Sequence, residues 1–310
     1  MKWKKLGMLF DGNKYGFYYT KSPQAIVFDE YVRIYFSTCQ KDNNKLISDV
    51  AYVDYSRDLK KVLRISNGQV IERGALGCYD EHGIFPFSPM RFEDKIYGYI
   101  SGWTRRTSVS VDTGIGLALS NDGGNTFTRL GNGPVLTASL HEPFLIIDGY
   151  VKKIMTDFHI WYIYGVEWQL FNGGAEPDRV YKIGHATSKD GINWIKEGKQ
   201  IIEDKLENEA QALPCVIEFD NRFHMFFCYR YANDFKNNHN RSYRIGYAYS
   251  DDLLNWVRDD DNAGITVSKD GWDSEMICYP NVFELDNSIY MLYNGNCFGK
   301  DGFGLAKLER

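Results

Sequence analysis

The chain has 310 residues, a formal net charge of −5, 44% hydrophobic and 15% aromatic residues, and six cysteines. That balance offers no basic footprint for nucleic acid, and no apolar run approaches the roughly 18 residues of a membrane span. Cys39, Cys78, Cys215, Cys228, Cys278 and Cys297 form no CxxC pair, so buried thiols in a reducing cytoplasm are expected, with no metal site and no cofactor.

The N-terminus, MKWKKLGMLF, is too short and aromatic for a secretion signal. Trp3 to Phe10 resembles Trp194 to Ile202, and both read as the outer, fourth strand of a four-stranded unit. A proline followed by an apolar run, an Asp/Asn/Gly turn and an aromatic-rich strand then recurs five times. The copies begin at Ser22, Ser88, Glu142, Leu213 and Tyr279, with Pro23, Pro89, Pro143, Pro214 and Pro280 marking where each innermost strand starts. Downstream of the first four copies stand Ser56-Arg57-Asp58, Ser120-Asn121-Asp122, Ser188-Lys189-Asp190 and Ser250-Asp251-Asp252, read as tight turns between a third and a fourth strand.

Four strands per copy, at a period above fifty residues, predict propeller blades. The fifth copy ends in a third strand, Gly302 to Lys307, and the N-terminal strand supplies its fourth. The expectation is therefore an all-β, five-bladed β-propeller, residues 1–310 as one domain, the last blade closed by the N-terminal strand. Such closure leaves no sheet edge unpaired around the circle.

Candidate chemistry falls on the segments leading into the blades. Blade one is quiet, reading Thr20-Lys21-Ser22-Pro23. Blade two brings Asp80, Glu81 and His82, and its second strand leaves through Trp103, Arg105 and Arg106, whose forked donors suit an anion. Blade three starts at Leu140-His141-Glu142-Pro143; its long insertion from His159 to Tyr181, with Trp161 and other aromatics, is expected to bind a ligand or join copies of the chain. Blade four offers Glu209, Tyr229 and Arg230. Blade five offers Trp272, Asp273, Glu275 and Asn294.

The strand pattern Ile183-Gly184-x-Ala186-x-Ser188-x-Asp190-Gly191-x-x-Trp194, its near copy at Ile115 to Phe127 and the ending Tyr290 to Asn296 resemble the five-bladed propeller glycosidases. That group holds arabinanases, xylosidases, invertases and mannoside phosphorylases. In the furanosidase branches a Glu before Pro in the third blade donates the proton. The resemblance implies that role for Glu142, with Glu275 or Glu209 as its partner and Asp80 and Glu81 as further catalytic acids. Those branches also carry a catalytic Asp in the first blade; this chain has none there, which moves the reading toward the phosphorylase-like branch.

The expected ligand is a small carbohydrate or sugar phosphate, bound by His82, Trp103, Arg105, Arg106, His159, Trp161, Tyr229, Arg230, Trp272, Asp273 and Asn294. The expected activity is hydrolysis or phosphorolysis of a short glycoside or activated sugar. A non-catalytic carbohydrate-binding or assembly propeller is the alternative. A weaker one is a sialidase-like enzyme, from the Asp-box likeness of Ser120 to Phe127.

Overall fold

The computed structural model describes residues 1–42, 45–171 and 176–309. It is all-β. After β1 (Trp3–Asp11) come four antiparallel groups in chain order: β2 (Tyr18–Val27), β3 (Tyr31–Asp42), β4 (Lys45–Ser56) and β5 (Val62–Ile65); β6 (Gly83–Phe92), β7 (Lys95–Arg105), β8 (Val111–Ser120) and β9 (Thr128–Arg129); β10 (Phe144–Ile154), β11 (Asp157–Gln169), β12 (Asp178–Ser188) and β13 (Trp194–Lys196); β14 (Glu209–Phe219), β15 (Arg222–Tyr231), β16 (Arg244–Ser250) and β17 (Val257–Arg258). The fifth group is β18 (Cys278–Leu285), β19 (Ser288–Asn294) and β20 (Gly302–Leu308), with β1 as its outer strand. One parallel bridge, Ser48 to Gly83, joins the first two groups into a continuous sheet.

The expected N-terminal pairing is present, with Trp3 opposite Leu308 and Asp11 opposite Gly302. The inner strands β2, β6, β10, β14 and β18 pack against one another in that order, and β18 also packs against β2. Asn294 ties the last group to the first: its side chain donates to the carbonyls of Thr20 and Gly302, both at 2.8 Å, and accepts the Ser22 N–H at 2.8 Å. Sheets covered on both faces need continuous apolar runs rather than alternating ones. Met225-Phe226-Phe227-Cys228 is such a run, every residue fully buried.

The four Ser-x-Asp turns form as read. Each serine hydroxyl donates to its aspartate, at 2.6 Å for Asp58, 2.7 Å for Asp122, 2.9 Å for Asp190 and 3.0 Å for Asp252. Asp190 also accepts the N–H groups of Ile192 and Asn193, so the turn's donors are satisfied locally. The next residue must turn left-handed: φ is 72° at Gly123 and 74° at Gly191, and leucine takes the same place at Leu59 and Leu253. Ser188→Ala removes a donor to Asp190 and an acceptor for the Gly191 N–H. It should cost about 1 kcal/mol, read from the urea midpoint.

The repeat differs from the sequence reading in one respect that decides the site. Every inner strand slips register at an equivalent place: between Lys21 and Gln24, Ile84 and Phe87, Ile147 and Tyr150, Ala212 and Cys215, and Cys278 and Asn281; β2 and β10 also slip one step earlier, between Tyr18 and Lys21 and between Phe144 and Ile147. The pairs inside the equivalent bulges are Ser22-Pro23, Phe85-Pro86, Asp148-Gly149, Leu213-Pro214 and Tyr279-Pro280. In four of them the first residue is left-handed, φ being 45° at Ser22, 60° at Asp148, 46° at Leu213 and 57° at Tyr279. Pro89 and Pro143 are therefore not the markers of copies two and three. Pro86 and Gly149 are, and the repeat becomes nearly even, 63 to 66 residues from marker to marker. The second correction concerns the insertion at 159–181. It is mostly the extended β11–β12 hairpin, and Trp161, Tyr162 and Tyr164 are buried within it; residues 172–175 of it lie outside the described residues.

Candidate active site

A bulge in an antiparallel strand re-aims side chains and breaks the ladder. Five inner strands bulging at the same level leave a cavity between them of about 390 Å³, near the lower end for small-molecule sites. Lys21, Phe85, Asp148, Ala212 and Tyr279 bring one or more residues from each inner strand to its wall. Further aromatic surface comes from Trp103, Tyr181, Tyr243, Phe235 and Phe298. Phe235 and Phe298 meet edge to face, ring centroids 6.2 Å apart.

Among the described residues that line the cavity, Asp148 is the sole carboxyl group, against the cations Lys21, Arg179, Arg230 and Lys236. It is 5% exposed. Its Oδ2 accepts the N–H of Leu213 at 3.1 Å, and its own N–H donates to Ser101 at 3.1 Å. The left-handed turn at Leu213 aims that N–H. Burial pushes the Asp148 carboxyl up to about 7; the Leu213 N–H and the Arg179 charge pull the other way. A carboxyl that half-keeps its proton at neutral pH is the form a proton donor requires. Arg230 is buried, gives Nη2 to the Tyr181 hydroxyl at 2.9 Å and Nη1 to the Tyr231 and Ala232 carbonyls, and packs 3.5 Å from the Phe235 ring centroid. Its Nε is buried without a partner among the described residues, as are the Ser37 and Thr113 hydroxyls on the cavity wall.

Four of the acids expected in the site lie off the cavity lining, held in one repeated arrangement. Asp80, Glu142, Glu209 and Asp273 are all buried, and each pairs with a cation on the outer strand of its own sheet. The partners are Arg129 on β9, Lys196 on β13, Arg258 on β17 and Lys5 on β1, with N···O distances of 2.5 Å for Glu142–Lys196 and 2.6 Å for Glu209–Arg258 and Asp273–Lys5. The four cations are register-equivalent, standing opposite Ala118, Ala186, Ala248 and Ala306. In the first sheet Asp54 takes the alanine's place and receives Arg64. In the second to fifth sheets these pairs staple the start of the inner strand, or the segment leading into it, to the far edge of the same sheet. Glu142 also accepts the Tyr162 hydroxyl at 2.6 Å, and it precedes β10 rather than heading the bulge.

Of the remaining residues singled out, Trp103 and Arg230 line the cavity, and the Trp103 indole is fixed by a 2.7 Å bond to the Ser48 hydroxyl. His82 stacks on Trp103, its Nδ1 accepting the Arg105 N–H, while the Arg105 guanidinium is bound to the Leu46 carbonyl. Arg106 pairs with Asp112 at the surface, and Glu81 accepts the Gly77 N–H. His159 and Trp161 stack with His185 inside the third sheet. Tyr229 lies under the Arg258 guanidinium, and Trp272 stacks on Tyr293, whose hydroxyl bonds to Asp273. Glu275 is part-exposed, 3.5 Å from His239, and Asn294 serves the strand junction. The sequence reading missed Asp148, Arg179, Lys21 and Ser37. A signal existed: Asp-Gly occupies the place of residue-Pro in the third copy.

No family model matches the chain. It is 32% identical over 315 residues to two uncharacterized Mycobacterium tuberculosis proteins, MT1551 and Rv1502, across the full length of each. A β-1,2-mannobiose phosphorylase from Thermoanaerobacter is 28% identical over 138 residues, which is 42% of this chain and 44% of that protein. Among solved structures, a glycoside hydrolase superimposes with TM-score 0.75 at 15% identity, over 99% of this chain and 91% of its own. An endo-arabinase from Bacteroides thetaiotaomicron gives 0.64 at 14% identity, over 94% and 95%. The chain belongs to one family with Rv1502 and MT1551, and its fold is that of the β-propeller glycosidases.

Proposed function

We propose that the chain is a carbohydrate-active enzyme, a glycoside phosphorylase acting on a short glycoside within a single five-bladed propeller closed by its N-terminal strand. The observation that carries this reading is the composition of the cavity: one carboxyl group among several cations. A hydrolase of the two-carboxylate type needs a second acid about 5 Å or 6.5–9.5 Å from the first. The described lining provides none. Phosphate is already an oxyanion and needs positioning rather than a base.

In this reading Asp148 gives its proton to the glycosidic oxygen as the bond from that oxygen to the anomeric carbon breaks. A phosphate oxygen, held by Arg179 and Arg230, forms the new bond to that carbon. The products are a glycosyl phosphate and a sugar with a free hydroxyl, and Asp148 is left as the carboxylate beside Arg179. The partial likeness to a mannobiose phosphorylase supports the choice of nucleophile.

The test is incubation of the pure protein with a disaccharide panel that includes β-1,2-mannobiose, with and without inorganic phosphate. Release of glycosyl phosphate that depends on phosphate is expected. Equal sugar release without phosphate would make the enzyme a hydrolase, and saturable sugar binding without turnover would make it a binding module.

A further inference from the structure

The cavity has more cationic groups than its reaction centre uses. Arg179 and Arg230 stand on the third and fourth sheets, whereas Lys21 stands on the first, on the inner strand β2. The second sheet's group lies between the first and third in the order of packed inner strands. Among the described residues no carboxylate pairs with Lys21. Its ammonium lies 4.2 Å from the Tyr19 ring centroid and 5.5 Å from that of Phe85, so its immediate neighbours are aromatic faces.

Directly across the β2–β3 ladder from Lys21 is Ser37. Ser37 is 1% exposed, lines the cavity, and its hydroxyl has no hydrogen-bond partner among the described residues. A buried hydroxyl without a partner costs about 1–3 kcal/mol, a cost that a bound acceptor removes. An ammonium without a counter-ion and an unused hydroxyl, cross-strand neighbours on one wall, are complementary to an anionic oxygen cluster.

We propose that Lys21 and Ser37 form a second anion subsite that takes the phosphoester of a phosphorylated carbohydrate, so that the sugar substrate itself carries a phosphate group. The proposal rests on reading the cavity as a carbohydrate site, and it does not require phosphorolysis. Trp103, locked by Ser48, and Phe85 line the same cavity and offer faces to the sugar.

The experiment is calorimetric titration of the whole protein with glucose, mannose and their 1- and 6-phosphates, on wild type, Lys21→Met, Lys21→Arg and Ser37→Ala, each first checked for an unchanged melting transition. At least one sugar phosphate should bind wild type tenfold or more tightly than its parent sugar. Lys21→Met should reduce that ratio at least fivefold, Ser37→Ala should reduce it less, and Lys21→Arg should retain most of it. The subsite is refuted if no sugar phosphate outbinds its parent, or if Lys21→Met leaves the ratio intact. Phosphate-dependent turnover of a neutral disaccharide is measured separately, so loss of the phosphorylase reading leaves this ratio standing, and the reverse.

Discussion

Asp148→Asn is expected to lower turnover by about 100- to 10,000-fold, the range that general-acid catalysis supplies, while sugar binding persists because the amide fills the same volume and still accepts the Leu213 N–H. The pH dependence carries the sharper test. The acid acts only in its protonated form, so the wild-type rate should fall as pH rises through about 7, where burial has placed the Asp148 carboxyl. A bound phosphate, being a like charge, moves that limb higher. The residual rate of the variant should lack it.

Stability gives a second readout that needs no substrate. The folded-state value of about 7 lies above the ordinary 3.8. The native state therefore holds this proton more tightly than the unfolded chain does. A group raised in this way contributes its full stability below about pH 4 and loses it as pH climbs to about 7. A rise from 3.8 to about 7 corresponds to roughly 4 kcal/mol as an upper bound. Asparagine cannot ionise, so the variant should gain on wild type between urea denaturations at pH 4 and pH 8. A constant difference would show that Asp148 is ionised across the range, and the proton-donor role would fall with it.

The position of Asp148 explains where the sequence was legible and where it was not. Signals that act over a few residues were read correctly. Ser188-x-Asp190 satisfies its own turn donors, and the Trp3-to-Phe10 run fits the fourth-strand place by its likeness to another copy. The bulges were harder, because proline marks them only when the left-handed residue happens to be followed by one. In the third copy the pair is Asp148-Gly149, and Asp-Gly is also among the strongest signals for a hairpin turn. Read as a turn, it moved the third inner strand toward Pro143 and put Glu142 at its head. The actual reversal is at Met155-Thr156, between β10 and β11. Burial misled in a similar way. Asp80, Glu142, Glu209 and Asp273 are expected in the site, yet each has a partner cation some fifty residues downstream, or at the N-terminus for Asp273, and no local pattern announces such a pairing. Arg179 gives no local signal because it belongs to a hairpin that the sequence presents as an insertion.

Arg258→Met should destabilise the fold by about 3–5 kcal/mol, the cost of leaving a buried carboxylate without its cation. Both partners have fully buried side chains, and the Arg258 Nη1 sits 2.6 Å from Glu209 Oε1. Among the described residues Glu209 is otherwise held by neutral donors, the N–H groups of Lys205 and Leu206 at 3.1 Å and the Gln211 amide at 2.9 Å. Glu209→Gln should cost less, about 1–3 kcal/mol, because Arg258 keeps Asp260 at 2.9 Å and the Glu203 carbonyl at 2.6 Å. In the double variant neither charge is stranded, so its loss should fall short of the sum of the two, and a double-mutant cycle from urea midpoints reads the coupling directly. Strict additivity would mean that the staple contributes no coupling energy. The same logic settles Glu142, which the family resemblance makes a proton donor and the geometry makes the anion of the third staple. Glu142→Gln should lower the urea midpoint and leave turnover per folded molecule intact. Loss of turnover with an unchanged midpoint would return the acid's role to Glu142 and remove it from Asp148.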